Sequence, residues 1–146
     1  MTKSIFEKNK KDLKEFLEKK GEKPYRVDQI WRSMYVDLYD NFNDISTIPD
    51  NLKKSLTSEL DYSPLSLVVK KKSKDLSTDK FLWKLHDNRL VETVLMRYDE
   101  DGHRRKRRTV CISSQVGCAL QCTFCATGAQ GFEKNLTADE IIGQLW

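Results

Sequence analysis

The sequence predicts an α+β chain: a small helical module, then short strands, then a cysteine-bearing loop closed by one further helix. Three observations carry that prediction. Apolar residues recur at helical spacing from Ile5 to Leu60. From Leu65 onward the apolar runs are short and rich in Val, Leu and aromatic residues, as strands require. Beyond Cys111, three cysteines and three glycines crowd into one loop before Thr137-Ala-Asp-Glu140 reopens a helix. The divisions expected are 1–62, 63–104 and 105–146.

In order, Ser4-Ile-Phe-Glu7 reads as a capping box opening a first helix, with Ile5, Phe6, Leu13, Phe16 and Leu17 on its apolar side. Gly21, after two lysines, reads as its C-cap. A second helix starts near Pro24 and lines up Ile30, Trp31, Met34, Tyr35 and Leu38. Asn41 to Thr47 connects it to a third, opened by Pro49-Asp50 and carrying Leu52, Leu56 and Leu60; Ser63-Pro64 stops it. Strands are expected at Leu65–Val69, Phe81–Leu85 and Leu90–Met96, with Asp87-Asn88 as a hairpin turn. Leu90, Val91, Val94 and Leu95 put apolar residues on both sides of the third, which predicts partial burial on two faces; from the pattern alone its Glu92 belongs on the solvent side. Asp99 to Gly102 is a turn, and Thr109–Ser113 a further strand. The last helix carries Ile141, Ile142, Leu145 and Trp146, and is expected to be cut short.

The 146 residues suit about one domain, 38% hydrophobic and 33% charged. No apolar run approaches the ~18 residues of a membrane span, and the lysine-rich start has no secretory h-region. Four cysteines in such a chain point to a reducing cytoplasm and to metal or catalytic roles; two structural disulfides are the weaker alternative. The net charge of +4 is unevenly placed. Lys70, Lys71, Lys72 and Lys74 form one cluster, and Arg104, Arg105, Lys106, Arg107 and Arg108 a denser one. Such runs suit a phosphate backbone, although solvated loops are the plainer reading.

Cys118, Cys122 and Cys125 form C-x3-C-x2-C. Cysteine thiolates hold iron–sulfur clusters, and a three-cysteine set leaves one iron of a 4Fe–4S cube open, as a catalytic site needs. Gly117, Gly128 and Gly131 would let the loop wrap a bulky group. The competing reading is a non-catalytic, zinc-stapled RNA-binding module with Cys111 as fourth ligand, but Cys111 falls inside a predicted strand.

C-x3-C-x2-C with an aromatic, Phe124, before its last cysteine is the motif of the radical S-adenosylmethionine superfamily. The longer string from Cys111 to Phe132 resembles the RlmN/Cfr family of RNA adenine methyltransferases, as do Pro24–Trp31, Glu92–Leu95 and Asn135–Gln144. Val116 and Ala119-Leu120 look more like the RlmN branch.

The resemblance implies a helical accessory RNA-binding domain, a strand region, and the first strand and helix of a partial (β/α) barrel. It implies that Cys118, Cys122 and Cys125 hold a 4Fe–4S cluster, with Phe124 beside it, and that S-adenosylmethionine takes the open iron. It implies C2 methylation of an adenosine in 23S rRNA and in tRNA, an electron donor such as flavodoxin, and a monomer with no membrane partner. In the family a cysteine near the C-terminus is methylated and carries the methylene to the base; a second cysteine then forms a disulfide that releases the product. Cys111 matches that second cysteine, as a strand residue facing a barrel interior. Glu92 matches the family's base. There are two departures. The stretch from Arg97 to Arg108 is longer and more basic than the family form and is expected to add an RNA contact. The methylated cysteine and most of the barrel belong to a C-terminal part outside these 146 residues, so the chain alone is expected to be inactive.

Overall fold

The structure, a computed structural model, describes residues 3–63, 65–100 and 105–145. Contacts divide the chain into two compact units, residues 1–64 and 65–145.

The first unit packs three helices: α1 (Lys10–Glu18), α2 (Tyr25–Tyr35) and α3 (Asp50–Glu59). Leu13, Leu17, Ile30, Met34, Ile45, Leu52 and Leu56 form its buried core. A short parallel pairing joins β1 (Lys3–Ser4) to β2 (Leu60–Asp61). The start of α1 differs from the sequence reading. Ser4 caps only a single 3-10 turn, Ile5–Glu7, and Lys8 is extended. Ile5 and Phe6, adjacent in sequence, are both buried, and the β1–β2 pairing holds Ser4 extended. The helix opens instead at Asn9, where the Asp12 N–H donates to Asn9 Oδ1 (2.9 Å) and the Asn9 N–H to Asp12 Oδ2 (3.4 Å), a capping box. Its end is as expected. Gly21 has φ +74°, its N–H donates to the Glu18 carbonyl, and the Glu22 N–H reaches Leu17. Leu38, expected on the apolar side of α2, lies beyond the helix end and is exposed.

The second unit is built on an antiparallel meander: β3 (Ser66–Lys72), β4 (Thr78–Lys84), β5 (Leu90–Tyr98) and β6 (Arg107–Cys111), paired in chain order. Asp87-Asn88 makes the β4–β5 turn. The Leu85 N–H donates to the Arg89 carbonyl (2.8 Å), and Asn88 takes φ +66°, a conformation its short side chain tolerates. Residues 63–104 and 105–146, separate segments in the sequence reading, share this sheet, because β6 pairs antiparallel with β5. A second ribbon pairs β7 (Gln115–Gly117) with β8 (Phe132–Asn135) around the cysteine loop and the short α4 (Ala126–Ala129). α5 (Ala138–Ile142) follows with the expected capping box, the Thr137 N–H donating to Glu140 Oε2 at 3.0 Å.

Leu65, Leu85, Val91, Val116 and Leu136 form the core of this unit, with Trp83 and Ile141 against it. Burial in β5 is uneven: Val91 and Thr93 are buried and Leu90 is half exposed. β3 is exposed along its whole length.

Candidate catalytic cleft and cysteine loop

Alternation along a strand puts residues two apart on one face. Val94 pairs directly with Cys111 across β5 and β6, so Glu92 and Cys111 share a face as diagonal neighbours, about 7–8 Å apart in a regular sheet. A cleft of about 560 Å³ opens on that face, lined by Lys80, Glu92, Cys111, Gln115, Gly117 and Thr127 among others. Glu92 and Cys111, 19 positions apart in sequence, and the glycine at the start of the cysteine loop thus converge on one space. Cys111 is exposed. Glu92 is half exposed, and its Oε1 lies 2.7 Å from Lys80 Nζ. The Ser113 hydroxyl donates to the Glu92 carbonyl at 2.8 Å, tying the chain beyond Cys111 back to β5.

The cysteine loop is shaped by backbone contacts. Gly117 has φ +73°, and a Cβ there would lie 1.7 Å from the Gly131 carbonyl oxygen, which accepts the Cys118 N–H (2.9 Å). A Cβ on Gly128 would lie 2.9 Å from the backbone N and O of Cys122. Gln121 adopts φ +47°, a left-handed conformation unusual for its type, immediately before Cys122. The Cys125 N–H donates to the Cys122 carbonyl (3.0 Å). The Gly128 and Thr127 backbone N–H groups hold the Cys125 thiol below its ordinary pKa, which favours the thiolate that metals bind.

Cys118, Cys122 and Cys125 are half-buried, and all four cysteines are free thiols. Among the described residues no three His, Cys, Asp or Glu side chains converge as a metal-ligand set. The backbone of the loop is tightly held, but its three sulfurs are not drawn into a cage. As donors they fit an iron–sulfur cluster: three soft thiolates on one short loop, with no carboxylate or imidazole between them. Phe124 is 91% exposed. Of the basic run, Arg105, Lys106, Arg107 and Arg108 are exposed, and Arg104 lies outside the described residues. The Arg107 guanidinium stacks 4.4 Å over the Tyr98 ring. The sequence reading missed Lys80. Its place on the Glu92 side follows only from the β4–β5 register, which no local pattern reveals.

No helix among the described residues is long and apolar enough to cross a membrane.

With a thiol and a carboxylate on one sheet face beside a C-x3-C-x2-C loop, the chain is similar to a class of enzymes, the radical S-adenosylmethionine methyltransferases. A crystal structure of a radical SAM methyltransferase from Sphaerobacter thermophilus superimposes with a TM-score of 0.88 at 36% identity, covering 98% of this chain and 40% of that one. Residues 4–61 match the family model described as the ribosomal RNA large subunit methyltransferase N-terminal domain. Residues 4–61 thus carry that family's N-terminal domain, and the rest of the chain is similar to proteins named RlmN. A probable dual-specificity RNA methyltransferase RlmN from Geobacillus kaustophilus is 40% identical over 142 residues, 97% of this chain and 37% of the relative. One from Chlorobaculum tepidum is 44% identical over 144 residues, again 37% of its length. The chain therefore spans less than two fifths of the curated relatives it matches.

Proposed function

We propose that this chain supplies the cluster loop, the base and the resolving thiol for radical S-adenosylmethionine-dependent methylation of adenine C2 in 23S rRNA and tRNA. The observation that carries the reading is the cleft, where Glu92 and Cys111 share one face beside Gly117 at the start of the cysteine loop. Cys118, Cys122 and Cys125 are the cluster ligands. With S-adenosylmethionine bound, the cluster supplies the carbon radical needed at C2, a position without an acidic proton. Glu92 Oε1 is engaged by Lys80, which leaves Oε2 to accept the proton that C2 gives up once the incoming carbon has bonded there. Cys111 remains a free, exposed thiol in the cleft, available for the disulfide that releases product. Residues 1–62 and the run from Arg104 to Arg108 contact the RNA. A flavodoxin-like protein delivers the electron. The remaining site walls and the methylated cysteine come from sequence beyond the segment shared with the relatives, and the chain alone is inactive; RNA methylation by the purified chain would overturn that.

Anaerobic reconstitution with iron and sulfide tests the reading. Visible absorbance and EPR should report a 4Fe–4S cluster. Cys118→Ala, Cys122→Ala and Cys125→Ala should each abolish it, whereas Cys111→Ala should retain it. A colourless protein holding one zinc through all four cysteines would replace this reading with the zinc-stapled module.

A further inference from the structure

Gln144 lies in the single 3-10 turn Gly143–Leu145 that follows α5, and it is 4% exposed. Burying a primary amide is costly unless every polar atom is bonded. Here all four bonds are made. Gln144 Oε1 accepts from the Ser113 N–H at 2.8 Å and from the Thr93 hydroxyl at 3.0 Å. Gln144 Nε2 donates to the Ser113 carbonyl at 2.8 Å and to the Glu140 carbonyl at 3.1 Å. The orientation of the amide is forced, because the Ser113 N–H can only donate and its carbonyl can only accept.

The network continues on both sides. Thr93, also buried, accepts the Trp83 indole N–H at 3.0 Å, so its one hydroxyl proton is directed to Gln144. Ser113 in turn donates its hydroxyl to the Glu92 carbonyl. β6 ends at Cys111, so the regular ladder stops two residues before Ser113. There the Gln144 side chain takes the place of a neighbouring strand, bonding both backbone groups of Ser113.

We propose that Gln144 is a positioning residue that sets the placement of Cys111 relative to Glu92. It does not line the cleft. It grips Ser113, two residues after Cys111, and Thr93, the residue after Glu92, through one buried amide. A satisfied buried network of this kind rigidifies what it joins, and a half-satisfied one does not. The inference rests on the reading that Glu92 and Cys111 act together in this cleft, but its test needs neither cluster nor RNA.

The test uses the whole chain with Gln144→Met, Thr93→Val and Thr93→Ser. Amide hydrogen exchange at Ser113 and the iodoacetamide alkylation rate of Cys111, resolved by mass spectrometry, are the readouts. Gln144→Met and Thr93→Val should each speed Ser113 exchange by about tenfold, as loss of buried hydrogen bonds implies. Each should also change the Cys111 alkylation rate, while amides of the β3–β4 pairing keep wild-type protection. Thr93→Ser, which keeps the hydroxyl, should behave as wild type. Uniform loosening of the whole sheet would make Gln144 a general structural residue and overturn the proposal, as would unchanged Ser113 exchange or an unchanged Cys111 rate. Should Gln144→Met not fold, the Thr93 pair decides. Failure of cluster reconstitution would leave these rates untouched, so the two readings fail separately.

Discussion

Lys80 and Glu92 meet across β4 and β5, Nζ to Oε1 at 2.7 Å, on the sheet face that carries Cys111. Both side chains are about half exposed, so water screens the pair and its contribution to folding is small. Its consequence is orientation: the ammonium holds one carboxylate oxygen of a group that lines the cleft. Lys80→Gln should therefore change unfolding free energy by less than about 1 kcal/mol in urea titration. A larger loss would show that the pair holds the sheet together rather than aiming Glu92.

Gly21 and Gly117, two of the glycines with positive φ, have different surroundings and should respond differently to alanine. Gly21→Ala meets no atom within 4 Å, so its cost is the left-handed backbone alone, about 1 kcal/mol. Gly117→Ala would place Cβ 1.7 Å from the Gly131 carbonyl oxygen. The backbone must move there, breaking the Cys118–Gly131 hydrogen bond and the β7–β8 register around the loop. Urea unfolding should show the larger loss for Gly117→Ala, and iron uptake should fall in that variant alone. Equal iron uptake by both would mean the loop geometry does not matter to the cluster.

What was legible in the sequence was what local chemistry decides. Pro24 and Pro49-Asp50 mark the starts of α2 and α3, Gly21 the end of α1, Asp87-Asn88 a turn, and Thr137 with Glu140 a cap. Ser4 misled because its side chain does cap, but only one turn, before burial of Ile5 and Phe6 and the β1–β2 pairing take over. The cysteine spacing was equally legible. The cleft was not, since it depends on the register of β5 against β6 that pairs Val94 with Cys111, 17 residues apart in sequence. Nor was the grip of Gln144 on Ser113, which spans 31 residues.

Asp87 should leave a pH signature. The Lys134 ammonium donates to its carboxylate at 2.7 Å and, aided by the Arg89 backbone and side chain, holds its pKa at about 2, below the ordinary 3.8. A depressed carboxylate stabilises the fold above its unfolded pKa and loses that contribution as pH falls through the folded one. The stability difference between wild type and Asp87→Asn should be full above about pH 5, shrink steeply by about pH 2 and vanish near about pH 1. Denaturant titrations across that range measure it. A difference that persists unchanged at pH 2 would assign the effect to turn geometry, not charge.

The register also joins the two basic runs. Lys72 pairs with Asp79, Asp79 with Leu95, and Leu95 with Val110, so Lys72 and Arg108 lie at the same end and on the same face of the sheet. Three strand spacings separate β3 from β6, about 14 Å. Arg97 stands beside Arg108 in the pairing, and Asp79 meets Arg97 at 2.6 Å and Lys70 at 3.9 Å, offsetting only part of this charge. Phosphates engaged here release counterions on binding, so affinity falls with salt in proportion to the charges used. Replacing Lys72 and Arg108 together with Gln should reduce the slope of log K against log salt by about 1.4 for a single-stranded RNA. Adding Ser at Arg104, Arg105 and Lys106 should flatten it further. Fluorescence anisotropy over a salt series reads the slope directly. An unchanged slope would place the RNA elsewhere and return both runs to solvated surface.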